Sequence, residues 1–156
     1  MMLEIGCGDN PTGNASVRID VTKGAANILA DGQHLPFRND VFDSILMLEV
    51  IEHVSHPFDL ILEIRRVLKP NGKIWLSTPN IMQYRRFFRW LFFEKTDVHL
   101  DHVHAWGLPE LRQLTERAGM KVARIAYHTR NNRNKDPLGR ILPRVTQYSI
   151  LVEIKK

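Results

Sequence analysis

The sequence has a single cysteine, Cys7, among its 156 residues, so the chain cannot form an internal disulfide. This usage fits a reducing compartment. The sequence also lacks the long uncharged apolar run that crosses a membrane. Its first residues have neither the basic start nor the apolar stretch of a signal peptide, because Glu4 and a glycine turn follow at once. Together these absences predict a cytoplasmic protein.

The composition is that of an ordinary globular domain. Hydrophobic residues make up 44% of the chain and charged residues 25%. The length suits one well-buried core, so we predict a single domain over residues 1–156. The net charge of +5 suits an anionic partner, although mild basicity of this kind is more often a matter of solubility.

Strand patterns alternate with helical patterns along the chain. Apolar residues at helical spacing run from Phe58 to Leu68, and a second helical pattern begins near Pro109 and ends at Gly119. The predicted strands are Met2 to Ile5, Val17 to Asp20, Ala26 to Ala30, Ser44 to Leu48, and the stretches KIWLSTP, KVARIAYH and YSILVEI. This alternation predicts an α/β protein with a doubly wound, mostly parallel, Rossmann-like sheet. Since no helix separates the last two strands, we expect an antiparallel edge.

The connection between the first two strands is unusual for such a sheet. Its letters, DNPTGNAS, include Pro11 and Gly13 and show no apolar periodicity. They therefore predict a loop where this class of fold normally has a helix. We expect a reduced version of the fold.

Acids and glycines stand at the predicted carboxyl ends of the strands, where ligands bind in doubly wound sheets. Glycine allows a ligand to approach the backbone, and an acid that ends the second strand can accept both hydroxyls of a ribose. An acid one strand further can accept from an exocyclic amine. In chain order the set is Gly6, Cys7, Gly8, Asp20, Asp31, Gly32, Glu49, Glu52 and His53. It predicts an adenosine site.

Several stretches resemble class I S-adenosylmethionine-dependent methyltransferases of the small type 11 kind. They are LEIGCG, VRID, ADGQHLPF, FDSILMLEVIEHV, EIRRVLKPNGKIWLSTPN and HVHAWGLPELRQLTERAGMKV, and they cover most of Leu3 to Val122. The resemblance implies S-adenosylmethionine as methyl donor and S-adenosylhomocysteine as product. It implies that the methionine part of the cofactor lies beside Glu4, Gly6, Cys7 and Gly8. The ribose would contact Asp20, and the adenine would contact Asp31 and Gly32. Leu48 and Glu49 would lie next to the methyl group.

Two departures from that family pattern leave alternatives open. The family's third glycine falls near Asn10, and the helices that many members place before the first strand are not seen. A nicotinamide-dependent oxidoreductase would need a third glycine and a helix N-terminus for the pyrophosphate, but Pro11 stands there. A catalytically inactive S-adenosylmethionine-binding module is the other alternative. A nucleic-acid partner is not expected, because LMLEVIEH replaces the Asx-Pro-Pro-aromatic motif of base-directed methyltransferases.

Methyl transfer from a sulfonium requires mainly that the donor and the acceptor are held in line. A general base is needed only when the acceptor holds its proton tightly. The candidate catalytic residues are His53, His102, His104 and Tyr84. His53 could equally cap or pack the segment after the fourth strand. Glu49, Glu52 and His53 also resemble a Glu-x-x-Glu-His set that binds a divalent ion in some methyltransferases. Because such strings are common in the family without metal, we predict no metal site.

Two segments differ from the rest in composition. IMQYRRFFRWLFFEK is aromatic and arginine-rich, and we predict a lid or insertion over residues 81–105 that covers a small or lipid-like acceptor. The alternatives are a surface helix packed on the core and peripheral membrane contact through residues 81–95. The polar, basic stretch at residues 129–144 is predicted to be an exposed loop.

Overall fold

The computed structural model describes residues 1–12, 15–83, 88, 91–92, 101–128 and 148–156. Within these residues seven strands form one sheet. The strands are β1 Met2–Ile5, β2 Val17–Asp20, β3 Ile28–Leu29, β4 Phe42–Leu48, β5 Leu68–Pro79, β6 Lys121–His128 and β7 Ser149–Lys155. The helices α1 Pro57–Val67 and α2 Leu108–Arg117 lie between β4 and β6 in the chain.

The sheet confirms the predicted fold class. Its strand order is β3-β2-β1-β4-β5-β7-β6, and the first five of these strands are parallel. β7 runs antiparallel to both β5 and β6, which gives the expected antiparallel edge. The chain moves outward from β1 to β3 and then returns to place β4 on the other side of β1. Strand order therefore reverses between β1 and β4, which is where such sheets bind ligands.

The core lies between the central strands and α1. Ile45 and Met47 of β4 and Ile74 of β5 are fully buried, as the apolar runs predict. On α1 the buried residues recur at helical spacing on one face: Leu60, Ile61, Ile64 and Val67. Burial of this face, rather than helix propensity alone, holds α1 against the sheet.

Element boundaries differ from the prediction at two strands. β5 begins at Leu68, directly after α1, because Leu68 pairs with Phe42 at the start of β4. The sequence pattern marked only the later part of this strand, KIWLSTP. β3 is limited to Ile28 and Leu29, both exposed at the edge of the sheet. Between β1 and β2, the described residues 6–12 and 15–16 form turns and no helix, as predicted.

The two segments of unusual composition fall mostly outside the described residues. Tyr84, most of the predicted lid at 81–105 and the predicted loop at 129–144 are not among them. Residues 101–105, which end the predicted lid segment, are among the described residues. None of the helices in the described ranges is long and apolar enough to cross a bilayer.

Arg66 of α1 holds the loop between β3 and β4. Its guanidinium donates to the carbonyl oxygens of Leu35 at 2.9 Å and Phe37 at 2.7 Å, and to both carboxylate oxygens of Glu63. Glu63 in turn accepts from the Leu35 N–H at 2.9 Å. The hydrogen bond from Arg66 is the main cause of a lowered pKa of Glu63. This planar set of donors holds the loop at Leu35 and Phe37 against α1.

We expect Arg66→Lys to lower the free energy of unfolding by about 1–3 kcal/mol, because an ammonium cannot serve the carbonyls and the carboxylate together. Arg65→Lys, at the exposed neighbouring position, is the matched control and should change it by less than about 0.5 kcal/mol. Urea unfolding at pH 7 measures both. Since the pKa of Glu63 is lowered by folding, its contribution is present above its usual pKa and is lost as the pH falls below it. Equal unfolding midpoints for the two variants would contradict this account.

Candidate functional site

β1 ends in a turn that contains two glycines with left-handed backbone. Gly6 has a φ of 69° and Gly8 a φ of 52°. A Cβ on Gly6 would lie 2.3 Å from Cγ2 of Val50, so no other residue fits there without movement. A Cβ on Gly8 would have no heavy atom within 4 Å. Packing against Val50 therefore requires glycine at position 6, whereas the lack of a side chain at Gly8 leaves a space open beside the turn.

Asp20, the last residue of β2, is held by the same turn. One carboxylate oxygen accepts from the Gly8 N–H at 2.9 Å, and the other accepts from the N–H and the hydroxyl of Thr22, each at 2.9 Å. Burial opposes ionisation, but the donors of Thr22 and Gly8 outweigh it, so the pKa of Asp20 is lowered. The residue is a fixed anion at the carboxyl end of the sheet.

Asp31 and Gly32 follow β3 at the same end. The Asp31 carboxylate accepts from the Gln33 N–H at 2.9 Å and from the Gln33 side-chain amide. At Gly32 an added Cβ would lie 2.7 Å from Cδ1 of Leu60, so the absence of a side chain lets α1 pack close to this turn.

These residues surround a cavity of about 340 Å³, called here the smaller cavity. It lies at the point where strand order reverses. Of the residues that the sequence analysis assigned to the cofactor, those that line it are Gly6, Gly8, Asp20, Asp31, Gly32 and Glu49. His53, one of the candidate catalytic residues, lines it too.

Three other residues assigned to the cofactor lie elsewhere. Glu4 is buried behind the turn, where it accepts from the Thr12 N–H at 2.7 Å and lies 3.6 Å from the Arg18 guanidinium. Cys7 is also buried, and its burial, followed by the charges of Asp20 and Glu4, raises the pKa of its thiol. Leu48 lines a second cavity. Glu4 and Cys7 therefore line neither cavity, and their contact with a cofactor stays a prediction.

Glu49 follows β4 in a strained backbone conformation. Its φ is 54°, which is uncommon for a residue other than glycine. Its N–H donates to the Ser77 carbonyl at 3.0 Å, and its carboxylate accepts from the Ser77 hydroxyl at 2.7 Å. Strain of this kind persists only where neighbours enforce it, and it occurs most often at functional sites. The contacts with Ser77 on β5 enforce it here.

The second, larger cavity has a volume of about 690 Å³ and adjoins the first. Glu49 and His53 line both cavities. Its other lining residues come from the ends of β4 to β7 and from the segment before α2: Leu48, Glu52, Ser77, Pro79, Asp101, His102, His128, Tyr148, Ser149 and Leu151.

The candidate catalytic histidines do not all lie together. His53 Nδ1 donates to the Asp101 carbonyl at 3.1 Å, and its ring meets that of His102 edge-on, with centroids 4.7 Å apart. His104 lies apart from them, near the Ser55 carbonyl and the Trp106 ring, and lines neither cavity. Tyr84 is outside the described residues.

Sequence reasoning did not identify His128 and Tyr148 as lining residues. His128 ends β6 and pairs with Ser149, which in turn pairs with Pro79 of β5. The two antiparallel strands thus bring residues 128 and 148 to the carboxyl end of β5. The predicted antiparallel edge was the one signal that could have placed them there.

Residues 3–76 match the family model Methyltransf_11, a methyltransferase domain. This matched part, just under half of the chain, is similar to methyltransferases of the type 11 family. This stretch runs from β1 through most of β5 and contains every residue of the smaller cavity. S-adenosylmethionine is the cofactor that this family implies, and the fixed anion at Asp20 and the open space at Gly8 fit an adenosine-containing ligand.

Individual proteins agree with the family assignment. Demethylmenaquinone methyltransferase of Bacillus subtilis is 27% identical over 117 residues, which is 64% of this chain and 49% of that protein. An uncharacterized methyltransferase of Mycobacterium leprae is 44% identical over 57 residues, or 36% of this chain and 21% of that protein. The chain spans less than half the length of the curated relatives it matches.

A solved methyltransferase from Thermotoga maritima has the same fold. Its TM-score is 0.77 at 16% identity, covering 99% of this chain and 81% of the other. A methyltransferase from Archaeoglobus fulgidus gives a TM-score of 0.71 at 17% identity, covering 99% and 85%. At these identities the likeness concerns the fold, including the seven-stranded sheet with its antiparallel edge.

Proposed function

We propose that the chain is an S-adenosylmethionine-dependent methyltransferase that holds the donor in the smaller cavity and a small acceptor in the larger one. The observation that carries this proposal is the pair of adjoining cavities with a shared boundary at Glu49 and His53. In-line transfer requires the donor and the acceptor to meet with their reacting atoms close together. The boundary between the cavities is the place where they would meet.

The donor would be held by residues at the ends of the first four strands. Asp20 would accept the ribose hydroxyls, and Asp31 would accept from the adenine amine. The Gly6–Gly8 turn would lie along the methionine part, where Gly8 leaves room for it. Glu49 would stand beside the sulfonium, since its carboxylate lies at the entrance to the acceptor cavity. Methyl donation is the chemistry that the cofactor supplies.

The acceptor cavity favours a small molecule that carries hydroxyl or amine groups. Its lining combines carboxylates, imidazoles and a phenol with the apolar side chains of Leu48, Pro79 and Leu151. Such a mixture of apolar wall and few polar groups is typical of small-molecule sites. A lipid-like acceptor covered by the segment 81–105 stays a prediction from the sequence.

His53 would take up the acceptor's proton. Because a carbonyl can only accept a hydrogen bond, the Asp101 carbonyl keeps the proton of the neutral ring on Nδ1. The lone pair is then on Nε2. This atom can take a proton from the acceptor, or it can bind a metal ion that makes the acceptor more acidic.

Calorimetry of the full chain with S-adenosylhomocysteine and with NAD tests the proposal. We expect S-adenosylhomocysteine to bind at one site per chain and NAD to give no measurable heat, because the turn after β1 offers no helix N-terminus for a pyrophosphate. Tight binding of NAD without binding of S-adenosylhomocysteine would overturn the proposal in favour of an oxidoreductase. Formation of S-adenosylhomocysteine from S-adenosylmethionine, with phenols and amines as acceptors, separates an enzyme from an inactive binding module.

A further inference from the structure

A carboxylate and two imidazoles converge beside the larger cavity. Glu52, His53 and His102 each offer one ligand atom, and these atoms all lie within 4.8 Å of one another. Glu52 and His53 follow β4, whereas His102 belongs to the segment that returns toward α2. The backbone joins the two segments, because the Glu52 carbonyl accepts from the Val103 N–H at 2.8 Å and the His104 N–H at 3.1 Å.

The orientation of His53 is fixed by a contact behind it. Its Nδ1–H donates to the Asp101 carbonyl, so its Nε2 carries the lone pair. Metal-binding histidines almost always have such an arrangement, with one ring nitrogen on the metal and the other donating to a carbonyl or carboxylate. Asp101 directly precedes His102, so one short segment both orients one imidazole and supplies the other.

Glu52 is oriented in a similar way. Its side chain is buried, with 1% of the residue exposed, and one carboxylate oxygen accepts from the Thr78 hydroxyl at 3.1 Å. Carboxylates that bind metals are commonly held by a hydrogen bond of this kind. Two of the three side chains thus have a second contact that sets their direction.

We propose that Glu52, His53 and His102 bind a divalent transition-metal ion beside the acceptor cavity. Around a tetrahedral ion with bonds of about 2.0–2.1 Å, ligand atoms stand about 3.3 Å apart. The three ligand atoms lie within 4.8 Å of one another, so side-chain rotations would have to shorten this spacing when an ion binds. Two imidazoles and one carboxylate suit zinc, iron, cobalt or manganese better than magnesium, which prefers an all-oxygen set.

Three protein ligands leave coordination positions open toward the cavity, as in catalytic rather than structural metal sites. The ion would hold a hydroxyl group of the acceptor next to Glu49 and lower its pKa. This role rests on the proposed function, but binding of the ion does not. The inference also departs from the sequence prediction of no metal, because the pattern around Glu49 did not include His102.

Cobalt(II) titration of the full chain tests the site without an activity measurement. We expect visible absorption bands of low-coordinate cobalt that saturate at one ion per chain, and their loss when zinc is added. His102→Ala and Glu52→Gln should each weaken binding by about tenfold or more, since each removes one of three ligands. Thr78→Val should weaken it by roughly tenfold, because it removes only the contact that orients Glu52.

Two control variants make the outcome specific. His34→Ala removes an exposed histidine outside both cavities and should leave the cobalt affinity unchanged. Glu49→Gln decides between the two groupings of ligands. Because Glu49 is not one of the three side chains whose ligand atoms converge, we expect at most a small change, whereas a Glu-x-x-Glu-His site would lose affinity as strongly as it does in Glu52→Gln.

Weak cobalt binding that is equal in the wild type, His102→Ala and Glu52→Gln would overturn the inference. Circular dichroism shows whether each variant is folded, and His102→Ala serves as the second test should Glu52→Gln unfold. Calorimetry with S-adenosylhomocysteine in EDTA separates the two proposals. Binding of this product without any cobalt site would reject the metal and keep the methyltransferase, while the reverse result would reject the methyltransferase and keep the metal.

Discussion

Replacing Asp20 with alanine is expected to weaken S-adenosylhomocysteine binding by about 2–4 kcal/mol, which is roughly 30- to 900-fold in Kd. The loss reflects the hydrogen bonds that the carboxylate would accept from the two ribose hydroxyls. Hydrogen bonds to a charged acceptor are about twice as strong as neutral ones. The lowered pKa of Asp20 means that it stays ionised through the pH range in which the protein would be assayed.

Asp20 is also a structural partner of the turn, which adds to the expected effect. Its carboxylate accepts from the Gly8 N–H, so its removal frees the backbone that faces the donor. Asp20→Asn separates the two contributions. The amide keeps one oxygen for a donor and loses the charge, so we expect a smaller loss of affinity than with alanine.

Asp43→Ala is the matched control for Asp20→Ala. It removes one negative charge at an exposed position near the start of β4, at the opposite end of the sheet, where Asp43 pairs with Lys69 at 2.9 Å. We expect its affinity for S-adenosylhomocysteine to equal that of the wild type. Calorimetry at pH 7.5, with thermal unfolding as a check on folding, gives all three values. An Asp20→Ala affinity within about threefold of wild type, a difference of less than 1 kcal/mol, would remove the ribose role from this residue.

The position of the smaller cavity at the carboxyl ends of the strands could be predicted from the sequence because it depends on local patterns. Asp20 ends one predicted strand and Asp31 directly follows the next, and parallel strands bring their carboxyl ends to one edge. The loop between β1 and β2 was equally visible, since Pro11 and the lack of apolar periodicity exclude a helix. The mostly parallel sheet and its antiparallel edge followed from the alternation of elements, whereas the strand order came from the structure.

Most of the lining of the larger cavity could not be predicted because it is built from residues distant in the chain. His128 and Tyr148 reach this cavity only through tertiary packing, whereas His102 was already a candidate from the sequence. The grouping of Glu49 with Glu52 assumed helical spacing, but residues 49–53 form turns and Glu49 has a positive φ. The two carboxylates instead accept hydrogen bonds from Ser77 and Thr78, successive residues of β5 whose side chains point in opposite directions.

Gly6→Ala is expected to lower the free energy of unfolding by about 2–5 kcal/mol. A left-handed backbone costs a residue with a Cβ about 1–2 kcal/mol. The overlap of that Cβ with Val50, at 2.3 Å, adds about 1–3 kcal/mol of overpacking. Since a domain of this size is stable by only about 5–15 kcal/mol, the variant should unfold at markedly lower urea concentration.

Gly8→Ala is the matched control because it shares the backbone strain and lacks the overlap. With no heavy atom within 4 Å of the added Cβ, it should cost only about 1–2 kcal/mol of stability. The new methyl group would stand in the space beside the turn, so this variant should lose S-adenosylhomocysteine affinity while it remains folded. Unfolding measurements would then show the packing role of Gly6, and binding measurements would show the role of Gly8 beside the ligand.

The double variant Gly6→Ala/Val50→Ala tests the overlap itself. Trimming Val50 removes the Cγ2 atom at 2.3 Å and leaves its Cβ at 3.4 Å, an ordinary contact distance. The double variant should therefore be more stable than the sum of the single effects predicts by about 1–3 kcal/mol, with only the backbone strain remaining. Additive effects would show that Val50 does not restrict this position and that the turn tolerates Gly6→Ala by moving as a whole.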